Sequence, residues 1–301
     1  MQTLSDSFRC GFVSVIGKPN VGKSTLINSI LNTKISIVSH KPQTTRHRIL
    51  GISSSKEHQI IFVDTPGLHQ NVNSVINKIM NKTAVNAILK TDLILFMYEA
   101  KFWTDEDQNV LKKLQNIDVP VIALINKIDK IHPKEKLLEI ISKSSKRYSY
   151  KEVIPICAKR RTSLNKLIKV IPPLLPVSPP IYSSKVKTDR DESFQIAELI
   201  REKLIIYLQQ EVPYGLSVQI ESYKKNKKDC SINAIIWVEK DSHKGIVIGK
   251  NGAMLKKIGT EARIEIKEKL SIPVYLEMWV KVKKHWVDNN QDLINLGYNI
   301  E

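Results

Sequence analysis

The chain has little of what would tie it to an oxidising or membrane-embedded setting. Its only three cysteines, Cys10, Cys157 and Cys230, stand far apart in 301 residues. They show neither disulfide-framework nor metal-ligand spacing, which points to a reducing cytosol. The histidines also lack metal-ligand spacing, and His40, His47 and His69 receive no role. No window approaches the roughly 18 continuous apolar residues of a membrane span. The first residues, "MQTLSDSFRCGF", lack the basic stretch and apolar run of a secretory signal, so a cytoplasmic protein is expected. Acidic residues are scarce, 30 against 47 Lys and Arg, for a formal net charge of +17. That surplus suggests a polyanionic partner, either nucleic acid or an anionic membrane surface. Drift in a Lys-, Ile- and Asn-rich AT-biased genome is the competing source. The surplus is uneven: residues 1–180 hold 27 basic and 13 acidic residues, and 181–301 hold 20 and 17.

Between 12 and 158, short apolar runs alternate with amphipathic helical stretches. "FVSVIG", "QIIFVDTPG", "DLILFMYEA", "VPVIALINKID" and "VIPICA" read as buried strands. That order predicts an α/β domain with a mostly parallel sheet and helices on both faces. The stretch "PPLLPVSPP" at 172–180 cannot continue a helix or a central strand. The expected organisation is a nucleotide domain over 1–175, a Pro-rich linker over 176–190 and a second domain over 191–301. The second domain reads as a compact α+β module: a helix over about 191–210, alternating strands "LSVQIES" and "CSINAIIWVEK", a short helix, a glycine turn, a helix to about 270, the strand "VYLEMWVKVK" and a last short helix. Cys230, Ile232, Ala234, Ile236 and Val238 share one face, the pattern of a half-buried antiparallel strand. There is no internal repeat.

The stretch Gly17-Lys18-Pro19-Asn20-Val21-Gly22-Lys23-Ser24-Thr25 matches G-x-x-x-x-G-K-[ST], follows a predicted strand and opens a predicted helix. Such a loop turns backbone N–H groups toward phosphate oxygens, and the helix N-terminus adds positive potential. Lys23 would reach the β- and γ-phosphates, and the Ser24 hydroxyl would ligate Mg²⁺. Asp64-Thr65-Pro66-Gly67 ends a second strand; Asp64 can hold a water of the Mg²⁺ shell and the Gly67 N–H can meet the γ-phosphate. Asn126-Lys127-Ile128-Asp129 ends another. The Asp129 carboxylate can accept both guanine N1–H and N2–H₂, a donor pair that adenine lacks, so a kinase acting through ATP is disfavoured. Each later motif is weak alone, but three in order at strand ends can converge on one nucleotide.

These residues, with "QTTRHRI" and "DTPGLH", resemble the Ras-like GTPases of the translation-factor class, and within them the Era-like family, over essentially the whole chain. The resemblance implies a P-loop GTPase domain that uses GTP and GDP with Mg²⁺. It implies a switch threonine that closes on Mg²⁺, and its place before arginine selects Thr45 over Thr44. Lys23, Thr45, Gly67 and Asn20 are the implied catalytic set. Leu68 stands where a catalytic glutamine would orient water, so slow intrinsic hydrolysis is expected; Asn20 is the candidate partner of a K⁺ ion that supplies cationic charge. Cys157-Ala158-Lys159 occupies the place of the family's usual Ser-Ala-Lys, whose backbone N–H groups meet guanine.

In "VIGKNGAMLKKIGTEARIEIKEKL", Gly249-Lys250-Asn251-Gly252 matches G-x-x-G, weak by itself. The α-β-β-α-α-β order around it resembles the prokaryotic, type II KH domain, whose glycines let a sugar-phosphate backbone approach while a groove takes about four bases. Lys250, Lys256 and Lys257 would lie near phosphates; residues 244–284 hold 10 basic against 4 acidic residues. Trp237, Trp279 and Trp286 read as packing residues rather than stacking platforms. "YKKNKK" at 223–228 reads as a solvated hairpin loop. The resemblance implies a monomer that grips the 3′ end of 16S ribosomal RNA during 30S subunit assembly, with peripheral contact at the inner face of the membrane as a further expectation. A membrane-associated signalling GTPase and a tRNA-modification GTPase are the competing readings. The latter group carries extra domains and a C-terminal cysteine, whereas this chain ends "LGYNIE".

Overall fold

The computed structural model describes residues 7–41, 44–67, 74–115, 117–208 and 212–298. They form two compact units. One comprises the described residues of 7–36, 45–67 and 80–189; the other comprises those of 37–44, 74–79 and 190–298.

The first unit is a six-stranded sheet. It uses β1 (Arg9–Ile16), β2 (Ile49–Ser54), β3 (His58–Asp64), β4 (Leu93–Glu99), β5 (Val121–Asn126) and β6 (Glu152–Pro155), in the order β2-β3-β1-β4-β5-β6. All pairings are parallel except β2 with β3. Val13 and Val15 of β1 and Ile94, Leu95 and Phe96 of β4 are wholly buried, the unbroken apolar pattern of strands covered on both faces. The chain leaves β1 toward β3 on one side and returns to β4 on the other. A crevice therefore opens at the carboxyl end of β1, where open α/β sheets bind ligands. Register lines up Val15 with Asp64 and Glu99 with Asn126 at that end.

Strand β2 is expected only as strand-like sequence flanking the polar "KPQTTRHRI" and is not among the five named runs. Its sequence, "ILGISS", lacks apolar alternation. Gly51 is admitted there because a Cβ would lie 2.7 Å from Leu31 and 2.8 Å from Ile27 of the helix α1 (Lys23–Leu31) packed behind it. The stretch expected as a linker, 176–190, instead packs with the first unit through Asp189. Prolines cannot donate, but the Pro176 carbonyl accepts from Cys10 N–H at 3.1 Å, and Lys187 O accepts from Ile52 N–H at 2.9 Å. Tyr182 N–H and Ile181 N–H both meet Gln59 Oε1 at 2.9 Å. With Thr188 bridging Gly51, the stretch covers the open edge of β2, the position at which a sheet otherwise invites pairing.

After α1 come α2 (Val75–Leu89), α3 (Asp105–Leu114), α4 (Lys136–Ser145) and α5 (Asn165–Val170) along the chain; residues 75–79 of α2 belong to the second unit and the rest to the first. Helix α3 begins at a capping box: Thr104 accepts from Asp107 N–H, while the Asp107 carboxylate accepts from Thr104 N–H at 2.9 Å.

The second unit holds α6 (Glu192–Tyr207), β7 (Leu216–Lys225), β8 (Cys230–Val238), α7 (Asp241–Ile248), α8 (Ala253–Leu270), β9 (Val274–Val282) and α9 (Asn290–Asn295). Strand β8 pairs antiparallel with β7 and parallel with β9. Its face of Cys230, Ile232, Ala234, Ile236 and Val238 is fully buried against Ile196 and Ile200 of α6 and Ile258, Ala262 and Ile266 of α8. Helix α6 ends at Tyr207, three residues short of the sequence expectation. In the β7–β8 hairpin, Asn226 Oδ1 accepts from Lys228 and Asp229 N–H at 2.8 and 2.9 Å, closing the basic loop on itself. Trp286 is buried and its Nε1–H meets Gly215 O at 3.3 Å, whereas Trp279 is 42% exposed.

Candidate functional site

The loop between β1 and α1 is shaped by its own sequence. Gly22 caps α1 at φ 110°, and a Cβ there would stand 2.6 Å from Asn126 Nδ2. Only glycine combines that left-handed backbone with that clearance. Lys23 is 7% exposed, and its ammonium donates to the carbonyls of Gly17 and Lys18 at 3.0 Å each. Burial lowers its pKa to about 8, against the opposing pull of the Asp64 charge.

Asp64, at the end of β3, is wholly buried. Neither of its oxygens receives a well-formed hydrogen bond among the described residues. Burial pushes its pKa up, while the nearby Ser36 and Ser24 hydroxyls and the Lys23 charge pull it back. The hydroxyl oxygens of Ser24 and Thr45 lie 3.0 Å apart, whereas the Thr44 hydroxyl turns back onto Lys41 O at 2.6 Å. A buried carboxylate and two adjacent hydroxyls form an all-oxygen set. That chemistry fits a hard divalent cation completed by water and phosphate oxygens, the habit of Mg²⁺. Thr65 is buried, and Gly67 approaches the loop so closely that a Cβ on it would lie 3.1 Å from Pro19. Leu68 and His69 lie outside the described residues.

One side chain joins three of the predicted segments. Asn126 donates to Val21 O at 2.7 Å and accepts from Ala158 N–H at 2.9 Å. Lys127, at φ 61°, reaches Asn20 O at 3.0 Å and pairs closely with Glu99. Asp129 is exposed; the Cys157 thiol donates to it and is the largest cause of its lowered pKa. The thiol itself is held well above its usual pKa by burial and by that carboxylate, which keeps it a donor and not a thiolate. Of the backbone N–H groups expected to face guanine, that of Cys157 goes to Ser163 Oγ at 2.9 Å and that of Ala158 to Asn126. Ile128 begins the turn that carries Asp129, and Lys159 follows in the turn after β6.

Sequence reasoning missed where Lys18 points. Its ammonium reaches Asp107 at 2.8 Å and Thr104 Oγ1 at 3.0 Å, tying the loop to the capping box of α3. The "TDED" signature at 104–107 could have flagged α3, but nothing local named Lys18 as its partner.

In the second unit, Gly249, Lys250, Asn251 and Gly252 form the turn between α7 and α8. Gly252 has φ 77° and open space where a Cβ would be, so its role is backbone shape and access rather than clearance. Asn251 also has positive φ. Lys250, Lys256 and Lys257 are exposed, and Lys257 lies 4.3 Å over the Tyr207 ring. The turn presents the N-terminus of an 18-residue helix, favourable to an anionic backbone.

A family model described as 50S ribosome-binding GTPase matches residues 12–127, and a KH-domain model matches 211–287. GTPase Era of Coxiella burnetii (strain Dugway 5J108-111) is 46% identical over 289 residues, 96% of this chain and 98% of that protein. GTPase Era of Glaesserella parasuis is 45% identical over 96% of this chain and 97% of its own length. A crystal structure of Era in complex with MgGDPNP and nucleotides 1506–1542 of 16S ribosomal RNA superposes with a TM-score of 0.93 at 38% identity. It covers 97% of this chain and 100% of the other. A crystal structure of a single-residue variant of Aquifex aeolicus Era, bound to GDP and AlF₄⁻, gives the same TM-score, identity and coverage.

Proposed function

The chain belongs to the Era family and hydrolyses GTP; from that premise we propose that it couples its nucleotide state to a grip on the 3′ end of 16S ribosomal RNA during 30S subunit assembly. The observation that carries the nucleotide half is the Ser24–Thr45 hydroxyl pair close to the wholly buried carboxylate of Asp64. The RNA half is supported by the G-x-x-G turn, its exposed lysines and the 16S RNA held by the Era relative of the same fold.

In this reading Lys23 and the backbone from Gly17 to Thr25 hold the phosphates, and Asp129 selects guanine through its paired acceptor oxygens. Ser24 and Thr45 would offer their hydroxyls, and Asp64 its carboxylate by way of water, to a Mg²⁺ ion, which when bound would draw charge from the phosphate oxygens. Thr45 and Gly67 sense the γ-phosphate and are released when it leaves. Leucine at position 68 cannot orient the attacking water, so intrinsic turnover is slow. Asn20 would hold a K⁺ ion, whose charge would speed hydrolysis. Gly249, Lys250, Asn251 and Gly252 admit the RNA backbone, with Lys256 and Lys257 on its phosphates. The protein works as a monomer in the cytoplasm and meets anionic membrane only peripherally. None of the described helices is long and apolar enough to cross a membrane.

The test is turnover of GTP and ATP, in K⁺ and in Na⁺, with and without an oligoribonucleotide of the 16S 3′ end. Hydrolysis of GTP alone, faster in K⁺ and raised by RNA, is expected. Gly252→Asp, which strains the turn and adds a negative charge, should abolish the RNA-dependent increment. Equal stimulation of wild type and variant overturns the RNA assignment, and stimulation by anionic vesicles but not RNA favours membrane signalling.

A further inference from the structure

Strand β4 ends at Glu99, whose register partner on β5 is Asn126. Ala100 N–H donates to Asn126 O at 2.8 Å, which carries that pairing one residue past the end of the strand. Glu99 therefore stands beside the turn that Lys127 opens, and its carboxylate takes the Lys127 ammonium in a close ion pair. The same ammonium donates to Asn20 O at 3.0 Å. A carboxylate and a carbonyl thus share one cation. The residues at the two ends of the carbonyl contact, Lys127 and Asn20, both have a left-handed backbone, at φ 61°. Residues other than glycine visit that region uncommonly and persist there where their surroundings hold them. The ion pair itself does little for the fold. Its lysine and glutamate side chains are 28% and 24% exposed, and pairs open to water contribute little to stability. Its effect is geometric: the carboxylate keeps the ammonium on the loop after β1 and away from solvent.

We propose that Glu99 is a positioning residue of the nucleotide site: by holding the Lys127 ammonium on the Asn20 carbonyl, it fixes the left-handed turn at Asn20 and, with it, the lifetime of the bound nucleotide. The inference rests on the reading of residues 17–25 and 126–129 as two sides of one guanosine nucleotide site, and adds to that site a residue that none of its motifs contains. Charge alone makes the opposite forecast. Removing a carboxylate close to where a polyphosphate binds strengthens the attraction, so a Glu99→Gln protein governed by charge would hold its nucleotide longer. One governed by the placement of Lys127 releases it sooner.

The test follows fluorescent GDP bound to the full chain with Mg²⁺, chased by excess unlabelled GDP in a stopped-flow instrument. Lys127→Met is the control for the underlying reading and should speed release by about tenfold or more. Glu99→Gln should speed release about three- to tenfold and leave the association rate within about twofold. Glu99→Asp, which keeps the charge on a shorter arm, should fall between that variant and wild type. In the Lys127→Met background, Glu99→Gln should add less than about twofold, because the ammonium it positions is gone. Fast release from Lys127→Met, with wild-type or slower release from Glu99→Gln, overturns the positioning role and spares the site. An undiminished effect of Glu99→Gln in the Lys127→Met background also overturns it, since the carboxylate then acts by another route. Unchanged release from Lys127→Met overturns both. If Glu99→Gln does not fold, Glu99→Asp decides by the same two comparisons.

Discussion

Replacing Asp107 with asparagine isolates the ion pair that anchors the phosphate loop. The carboxylate has no exposure and the Lys18 side chain 11%, at 2.8 Å. Asparagine keeps the shape and one acceptor oxygen for the capping box, so the main loss is the counter-charge of Lys18. Breaking a buried pair by removing one partner costs about 3–5 kcal/mol. Lys18 retains a narrow path to water, which places Asp107→Asn near the lower end, about 3 kcal/mol. For a unit of this size that corresponds to a fall in Tm of roughly 6–12 °C. The consequence reaches the nucleotide because the Lys18 carbonyl is one of the two that hold the Lys23 ammonium; loosening residue 18 loosens that clamp. Urea unfolding followed by circular dichroism, with and without GDP, measures the stability change, and fluorescent GDP titration measures the grip. A double variant with Lys18→Met should recover much of the stability but not the affinity. A loss below about 1 kcal/mol with unchanged GDP affinity would refute the idea that α3 holds the loop.

Three other perturbations follow from the same geometry. Asp129→Asn replaces a charged acceptor pair with one acceptor and one donor; GTP affinity should fall roughly 10- to 100-fold while xanthosine triphosphate, whose ring offers a carbonyl where guanine offers N2–H₂, gains, as competition binding would report. Lys23, with its pKa lowered to about 8, binds fewer protons than the unfolded chain between about pH 8 and 10.4, so the nucleotide-free protein gains stability with rising pH across that window. Phosphate binding favours the charged ammonium, so triphosphate affinity should fall over the same range, by up to about tenfold per pH unit, and calorimetry in two buffers should detect proton uptake. Cys157→Ser keeps a donor to Asp129 and should hold GDP affinity within about threefold, whereas Cys157→Ala leaves the carboxylate without it and should weaken binding further; equal affinities would remove the thiol from the site.

The strands that carry the site were legible because each is a continuous apolar run ending in a motif whose residues have one chemical use. Strand β2 was not: an antiparallel edge containing Gly51, Ser53 and Ser54 has neither alternation nor an apolar run, and its identity comes from packing on α1 and from the cover of 187–189. The proline stretch signalled interruption correctly, yet prolines retain acceptor carbonyls, which is why Pro176 joins β1 instead of leaving it. The nucleotide motifs named Asn126 and Lys127, but their hydrogen bonds to the phosphate loop are long-range and have no local signature. The buried charges of α6 were illegible for the same reason: Glu198, Arg201 and Glu202 look like the solvent face of a helix until Val38, Lys41 and Thr44 are laid against it.

Asn126 gives the nucleotide site a property that no single loop has. One amide fastens Val21 of the loop after β1 and Ala158 of the turn after β6, so, on the proposed assignment, the two ends of a guanosine nucleotide would be gripped by structures that share a fastener. Any change that reshapes base recognition at this corner also alters how long the phosphates stay. On the proposed assignment of these loops, base preference and residence time would form one linked trait, and an engineer seeking to change the first should expect to find the second already changed.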